Sequence, residues 1–212
     1  MDGRTRIAVL VSGRGSNMTA LIEACREPGF PATIALVLSN NPGAPGLRTA
    51  AEAGIPTLAI DHRPFGRDRD AHERAIDAVL EENDIGLVCL AGYMRLLTAA
   101  FTGRWQGRML NIHPSLLPAF PGLHTHERAL AAGVKLHGCT VHLVTEVMDE
   151  GPILGQAAVP VRSGDTAETL AARVLAQEHR LYPAALAALL SASGPDHALA
   201  DSDAAGSWLM SV

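Results

Sequence analysis

The chain has 212 residues, enough for one good-sized α/β domain and short for two. Hydrophobic residues make up 48% and aromatics only 4%, so the core must be built from Ala, Val, Leu and Ile. A net charge of -5, with basic residues scattered singly (Arg14, Arg48, Arg67, Arg69, Arg95), argues against nucleic acid as the main partner.

Residues 6–11 are a continuous apolar run, the pattern of a parallel strand buried on both faces. Ser12, Gly13, Arg14, Gly15, Ser16 and Asn17 follow, and then Met18, Leu21, Ile22 and Cys25 at helical spacing. Strand, glycine-rich turn and helix make an anion site, because glycines let the backbone approach closely and free N–H groups at the helix start point at the ligand. Ser16 and Asn17 are expected to add side-chain donors at the N-cap. No GK[ST] follows, and Met18 stands where a dinucleotide fingerprint needs glycine, so the loop reads as a site for one phosphate; a tight turn without ligand is the alternative.

Further strands are expected over 32–38 and 55–60, with an Ala-rich helix over 45–53 closed by Gly54. A helix over 68–82 carries Ala71, Ala75, Ile76, Val79 and Leu80 on one face; His62, His72 and His197 read as surface residues. The fourth strand, 86–91, runs into Gly92, Tyr93, Met94, Arg95, Leu96 and Leu97. These apolar residues suit a flat heterocycle or local core packing equally well.

The fifth strand, 107–112, carries Asn111 and ends at His113, because Pro114 has no N–H to donate and holds the residue before it extended. Pro118 and Pro121 stiffen the loop that follows. An amide and an imidazole are thus set at the carboxyl end of an apolar strand, where open α/β sheets bind ligands. A helix over 123–133 ends at Gly133, and 137–145 reads as a strand with one exposed face. The turn over 146–152 contains Asp149, Glu150, Gly151 and Pro152, and 153–161 should pair back as a hairpin. Asp165 and Glu168 form a capping box for a long helix through about 190, kinked by Pro183. The tail from 193 is expected to fray. The result is one α/β domain with a mixed sheet.

Asn111, His113 and Asp149 suggest a chemistry. A carboxylate beside an imidazole stabilises the imidazolium. An amide N–H and an imidazolium N–H aimed at one point make an oxyanion site. The chain offers no nucleophile: Ser115 sits in a rigid loop without a G-x-S-x-G elbow, and Cys139 has no activating neighbour beyond Gly138 or His142. Direct acyl transfer between two bound substrates fits better than an acyl-enzyme. A zinc site among His113, His124, His126, His137 and His142 is disfavoured, since no ligand spacing typical of zinc is present. Cys25, Cys89 and Cys139 are widely spaced, without CxxC, and neither an apolar leader nor a run of about 18 apolar residues is present, so a cytoplasmic protein is expected.

The Asn-x-His-Pro-Ser-Leu-Leu-Pro run over 111–118 with the downstream Asp149 resembles the folate-dependent formyltransferases. The Ser-Gly-x-Gly-Ser-Asn loop over 12–17 narrows the resemblance to the glycinamide ribonucleotide branch, the phosphoribosylglycinamide formyltransferases. Stretches at 90–97, 120–126, 137–142, 149–152 and 177–179 carry it further, over 7 to about 183. The resemblance implies transfer of formyl from 10-formyltetrahydrofolate to the amine of glycinamide ribonucleotide in purine biosynthesis, with no metal. It implies that Gly15, Ser16 and Asn17 hold the ribonucleotide phosphate and Glu178 the ribose hydroxyls. Met94, Arg95, Leu96 and Leu97 would lie against the pterin, and Asn111 also contacts the folate. The resemblance makes Arg69 a further folate contact, although the loop before it differs in length. Asn111 and His113 would stabilise the oxyanion, with Asp149 keeping His113 charged and helping to move protons through water. Glu150 departs from the pattern, which has a smaller residue there. The fold implied is single-domain: a Rossmann-like half over about 1–105 with a mostly parallel sheet, binding phosphate, and a folate and catalytic half over about 106–195 that adds antiparallel strands and the long C-terminal helix. A polar tail over 196–212 follows. The alternatives in the same family are methionyl-tRNA formyltransferase, which carries a further C-terminal domain, and formyltetrahydrofolate hydrolase, which carries an N-terminal regulatory one. A non-catalytic folate- or phosphate-binding protein is a third. A homodimer is left open.

Overall fold

The computed structural model describes residues 3–192 and the backbone of Trp208 and Leu209. The expected fraying of the tail, apart from that pair, and the surface reading of His197 concern residues outside the described ones. The chain divides into two compact units, residues 1–110 and 111–212.

In the first unit the strands are β1 (Thr5–Val11), β2 (Ala32–Ser39), β3 (Thr57–Ala59) and β4 (Leu87–Leu90), hydrogen-bonded in the order β3-β2-β1-β4. All three pairings are parallel. Ile7 to Val11 are fully buried, as are Val37, Leu38, Val88 and Cys89, which explains why these strands read as unbroken apolar runs. The helices are α1 (Ser16–Arg26), α2 (Pro45–Glu52), α3 (Arg69–Glu82) and α4 (Ala99–Arg104), with a single 3-10 turn at Arg63–Phe65. Periodicity did not indicate α4: six residues are too few to show a face. Its N-cap is Thr98, whose hydroxyl accepts from Phe101 N.

Two expectations for this unit are corrected. The N-cap of α1 is Gly15, in the left-handed region at φ 67°, with no side-chain cap; Ser16 and Asn17 are the first two helical residues instead. His72 is not on the surface. It is 1% exposed, and its Nε2–H donates to the Ile60 carbonyl at 2.9 Å, while burial pushes its pKa down.

β5 (Met109–His113) crosses the division, with Asn111, Ile112 and His113 in the second unit. That unit continues with α5 (Thr125–Ala131), β6 (Leu136–Leu143), β7 (Ile153–Pro160), α6 (Ala167–Ala192) and β8 (Trp208–Leu209). Its strand order is β5-β6-β7-β8. β6 and β7 pair antiparallel as the expected hairpin, and β8 pairs parallel to β7 at Gly155 and Gln156. β6 is not the half-exposed strand its alternation suggested: His137 to His142 are all buried. α6 lies against β6 and β7, with Leu170, Val174, Tyr182 and Leu186 in its buried face. It runs through Pro183 without a break. Its cap is shifted one residue from the expected box. Thr166 Oγ1 accepts from Thr169 N at 3.3 Å and Thr169 Oγ1 accepts from Thr166 N at 3.0 Å, while Asp165 pairs with Arg173.

Candidate active site

The anion loop in the first unit is built by close approach. Gly46, the second residue of α2, donates its N–H to the Gly13 carbonyl at 3.0 Å, and a Cβ there would stand 2.9 Å from that oxygen. Only glycine lets α2 brace the loop this way. Gly15 turns the chain into α1, whose first N–H groups have no partner within the helix. Ser16 is exposed at this point and Asn17 is buried.

The segment after β4 is held at three points by side chains from elsewhere in the same unit. Met94 N donates to Ser12 Oγ at 2.8 Å, and Arg69 Nη1 donates to the Leu96 carbonyl at 3.4 Å. The Thr98 N–H and hydroxyl both donate to the carboxylate of buried Glu73. Burial raises the Glu73 pKa, and the Thr98 donors act against that rise. Between these pins Met94 is 66% and Leu96 61% exposed, while Arg95 and Leu97 are half-buried. The local-packing alternative for Met94 and Leu96 is therefore wrong: neither is in the core.

In the second unit, Asn111 and His113 lie two apart on β5 and so on one face. The His113 Nε2–H donates to the Phe120 carbonyl at 3.0 Å, and Nδ1 lies 3.5 Å from Oδ2 of Asp149. The Phe120 carbonyl takes the Nε2–H, and the Asp149 carboxylate stands within ion-pair distance of Nδ1. Asp149 is fixed from the other side by Gly122, whose N–H donates to Oδ2 at 2.8 Å. Its φ of 60° is left-handed, a strained backbone for a non-glycine residue.

Asn111 is hydrogen-bonded to neither His113 nor Asp149. Its Nδ2 donates to His142 Nε2 at 3.1 Å, and that nitrogen is 3.8 Å from Asp149 Oδ1. His142 Nδ1 bonds the Leu143 carbonyl at 3.0 Å, so the ring is a neutral imidazole: a donor at Nδ1 and an acceptor at Nε2. Burial lowers its pKa, as does the neighbouring His113. His142 is the residue that sequence reasoning passed over. It sits beside a bulge, where β7 carries Leu154 as an extra residue between the partners of Val141 and His142. A histidine on the buried face of a strand was the available signal.

The proline loop is held by β6 and β7. Thr140 Oγ1 accepts from Leu117 N at 3.0 Å and donates to the Ser115 carbonyl at 2.7 Å. Gln156 Nε2 reaches the Leu117 carbonyl at 2.8 Å. Ser115 is fully buried and its hydroxyl is engaged by the Ala119 carbonyl at 2.6 Å. Burial pushes the Cys139 thiol up to about 12. Neither is set up as a nucleophile. His126 and His137 face each other at 3.2 Å, and among the described residues no group of three His, Cys, Asp or Glu is placed to hold a metal ion. Glu178 is on α6 and buried. No helix of the described residues is long and apolar enough to cross a membrane.

The pattern of the formyl transferase family matches residues 5–186. The chain belongs to the formyl transferase family. A formyl transferase of known structure, the phosphoribosylglycinamide formyltransferase of Brucella melitensis, is 60% identical with a TM-score of 0.85, over 89% of this chain and 96% of that one. The phosphoribosylglycinamide formyltransferase of Escherichia coli (strain K12) is 46% identical over 177 residues, 84% of this chain and 83% of that protein. The trifunctional purine biosynthetic protein adenosine-3 of Gallus gallus is 52% identical over 183 residues. The match spans 86% of this chain but only 18% of that longer relative. The α/β fold expected from the sequence, mostly parallel with antiparallel strands in its C-terminal half, is shared with the Brucella melitensis protein.

Proposed function

We propose that this formyl transferase moves the formyl group of 10-formyltetrahydrofolate onto the amine of glycinamide ribonucleotide, releasing tetrahydrofolate, in purine biosynthesis. The observation that carries the reading is the His113–Asp149 pair at 3.5 Å, with Asn111 on the same strand face and braced by His142. The likeness to phosphoribosylglycinamide formyltransferases over most of both chains supports the choice of substrates.

In this mechanism the amine attacks the formyl carbon directly. A carbon–nitrogen bond forms, the carbonyl oxygen becomes an oxyanion, and the bond from that carbon to N10 of the folate then breaks. The amine loses one proton and N10 gains one. The Asn111 amide has a second N–H beyond the one given to His142, and it serves the oxyanion. The His113 imidazolium gives the same oxygen the N–H that now rests on Phe120 O. Asp149 holds the imidazolium charge and passes the proton through water. Donors of this kind are each worth about 10²–10³ in rate. Gly15, Ser16 and Asn17 take the phosphate and Glu178 the ribose hydroxyls. Arg69, Met94, Arg95, Leu96, Leu97 and Asn111 contact the folate. No metal takes part. The phosphate-binding half is about 1–105 and the folate and catalytic half about 106–195. A cytoplasmic setting, which suits three buried cysteines outside any disulfide, belongs to the same reading.

The test is to mix the protein with 10-formyltetrahydrofolate, with and without glycinamide ribonucleotide, and follow tetrahydrofolate. Release that requires the ribonucleotide, with formylglycinamide ribonucleotide formed in equal amount, is the expected result. Release without it would indicate a hydrolase, and no release in either case would indicate a binding protein.

A further inference from the structure

The hydrogen bonding at the end of β1 singles out Ser12. Past Val11 the ladder to β4 continues for one more step, with Ser12 N donating to the Gly92 carbonyl at 3.1 Å. Gly92 then turns the chain at φ 75°. The Met94 N–H, which a strand partner would otherwise take, falls on Ser12 Oγ at 2.8 Å. A serine hydroxyl has one hydrogen to give, and here it goes to Asn40 Oδ1 at 2.6 Å. The chain of donors runs one way, from Met94 N–H through Ser12 O–H to Asn40, so each bond polarises the next. It ends on a fixed group. Asn40 is buried at the end of β2, with its Nδ2 3.2 Å from His62 Nδ1.

We propose that Ser12 is a positioning residue for the folate-contacting segment, its hydroxyl tying Met94 to Asn40 and so to the anion loop that Ser12 itself opens. The proposal rests on the reading of residues 94–97 as that segment. Two apolar side chains, Met94 and Leu96, are exposed while side chains hold their backbone, Ser12 at the Met94 N–H and Arg69 at the Leu96 carbonyl. Exposed on one short segment, they are free to lie against a flat ring, as the folate reading requires. Arg69 and Glu73 fix the middle and far end of the segment, whereas Ser12, which opens the loop at 13–17, holds its near end. Removing the hydroxyl frees the Met94 end and leaves the catalytic side chains of the other unit untouched.

The experiment compares wild type with Ser12→Ala and Ser12→Thr in the full chain. It measures melting temperature, calorimetric binding of tetrahydrofolate, and KM and kcat for formyl transfer. Ser12→Ala is expected to weaken tetrahydrofolate binding and raise the KM of the formyl donor by about five- to tenfold, the scale of one net hydrogen bond, with kcat little changed. Ser12→Thr, which keeps a hydroxyl, should restore both. Asn40→Ala leaves the Met94 bond in place and should show a smaller loss in the same direction; it stands in should Ser12→Ala not fold. Equal tetrahydrofolate binding by wild type and Ser12→Ala overturns the proposal, and so does a fall in kcat with the donor KM unchanged. A wild-type protein that binds no tetrahydrofolate at all overturns the folate reading of 94–97 and this proposal with it, a result that needs no variant to be seen.

Discussion

His113 Nδ1 and Asp149 Oδ2 face each other at 3.5 Å, and Asp149 holds its place from a left-handed backbone that Gly122 N–H secures through the same oxygen. Asn adopts this backbone conformation readily and its side-chain oxygen can still accept from Gly122. Asp149→Asn should therefore fold with an unchanged melting temperature. The charge that suits a protonated His113 is gone, so kcat should fall by about two to three orders of magnitude. Wild-type turnover in this variant would remove Asp149 from the mechanism.

Gly151 sets the acidic turn against the end of β6. A Cβ there would lie 1.7 Å from the Leu143 carbonyl oxygen, next to the bond from Leu143 N to the Pro152 carbonyl. Backbone cannot yield as a side-chain tip can. Gly151→Ala should cost about 1–3 kcal/mol in urea unfolding and lower kcat as Asp149 is displaced. Unaltered stability would mean that the turn repacks freely.

Glu73 is the sole carboxylate on the Thr98 N–H and hydroxyl among the described residues. Glu73→Leu keeps the site apolar and strands both donors, at a cost of about 1–3 kcal/mol by chemical denaturation. Because Thr98 both caps α4 and ends the Met94–Leu97 segment, the formyl-donor KM should rise as well. Glu73→Gln retains one acceptor and should lie between. A donor KM unchanged in Glu73→Leu would separate the cap from the binding segment.

Burial holds His72, His126, His137 and His142 below the ordinary imidazole range, His137 down to about 4 from 6.5. Between those two values the unfolded chain binds more protons than the folded one, so stability rises with pH there. It should be fully present above pH 6.5 and drain away as the pH falls towards 4. Urea midpoints from pH 7.5 to 4.5 read this directly. His137→Phe, whose ring suits the edge-on contacts with Phe120 and His126, should flatten the slope. A profile as steep as wild type's would assign the loss to other groups.

The sequence by itself determined most of the elements and what each carries, α4 being too short to show a face. The buried parallel strands, the glycine turn ahead of α1, the pairing of Asn111 with His113 on one face of β5 and the proline stop after it are all local. They depend on periodicity, on missing N–H groups and on backbone freedom over a few residues. Tertiary structure decided which side chains meet. His142 comes between Asn111 and Asp149 only because β6 and β7 pair antiparallel with a bulge beside it. Ser12 reaches Asn40 and Met94 through the register of parallel strands 28 and 82 residues away. His72, on a helix face that reads as solvated, is captured by the Ile60 carbonyl. Periodicity tells which face of an element is buried, but a partner is chosen by the alignment of segments far apart in the chain, which packing of the whole sheet fixes and no short stretch encodes.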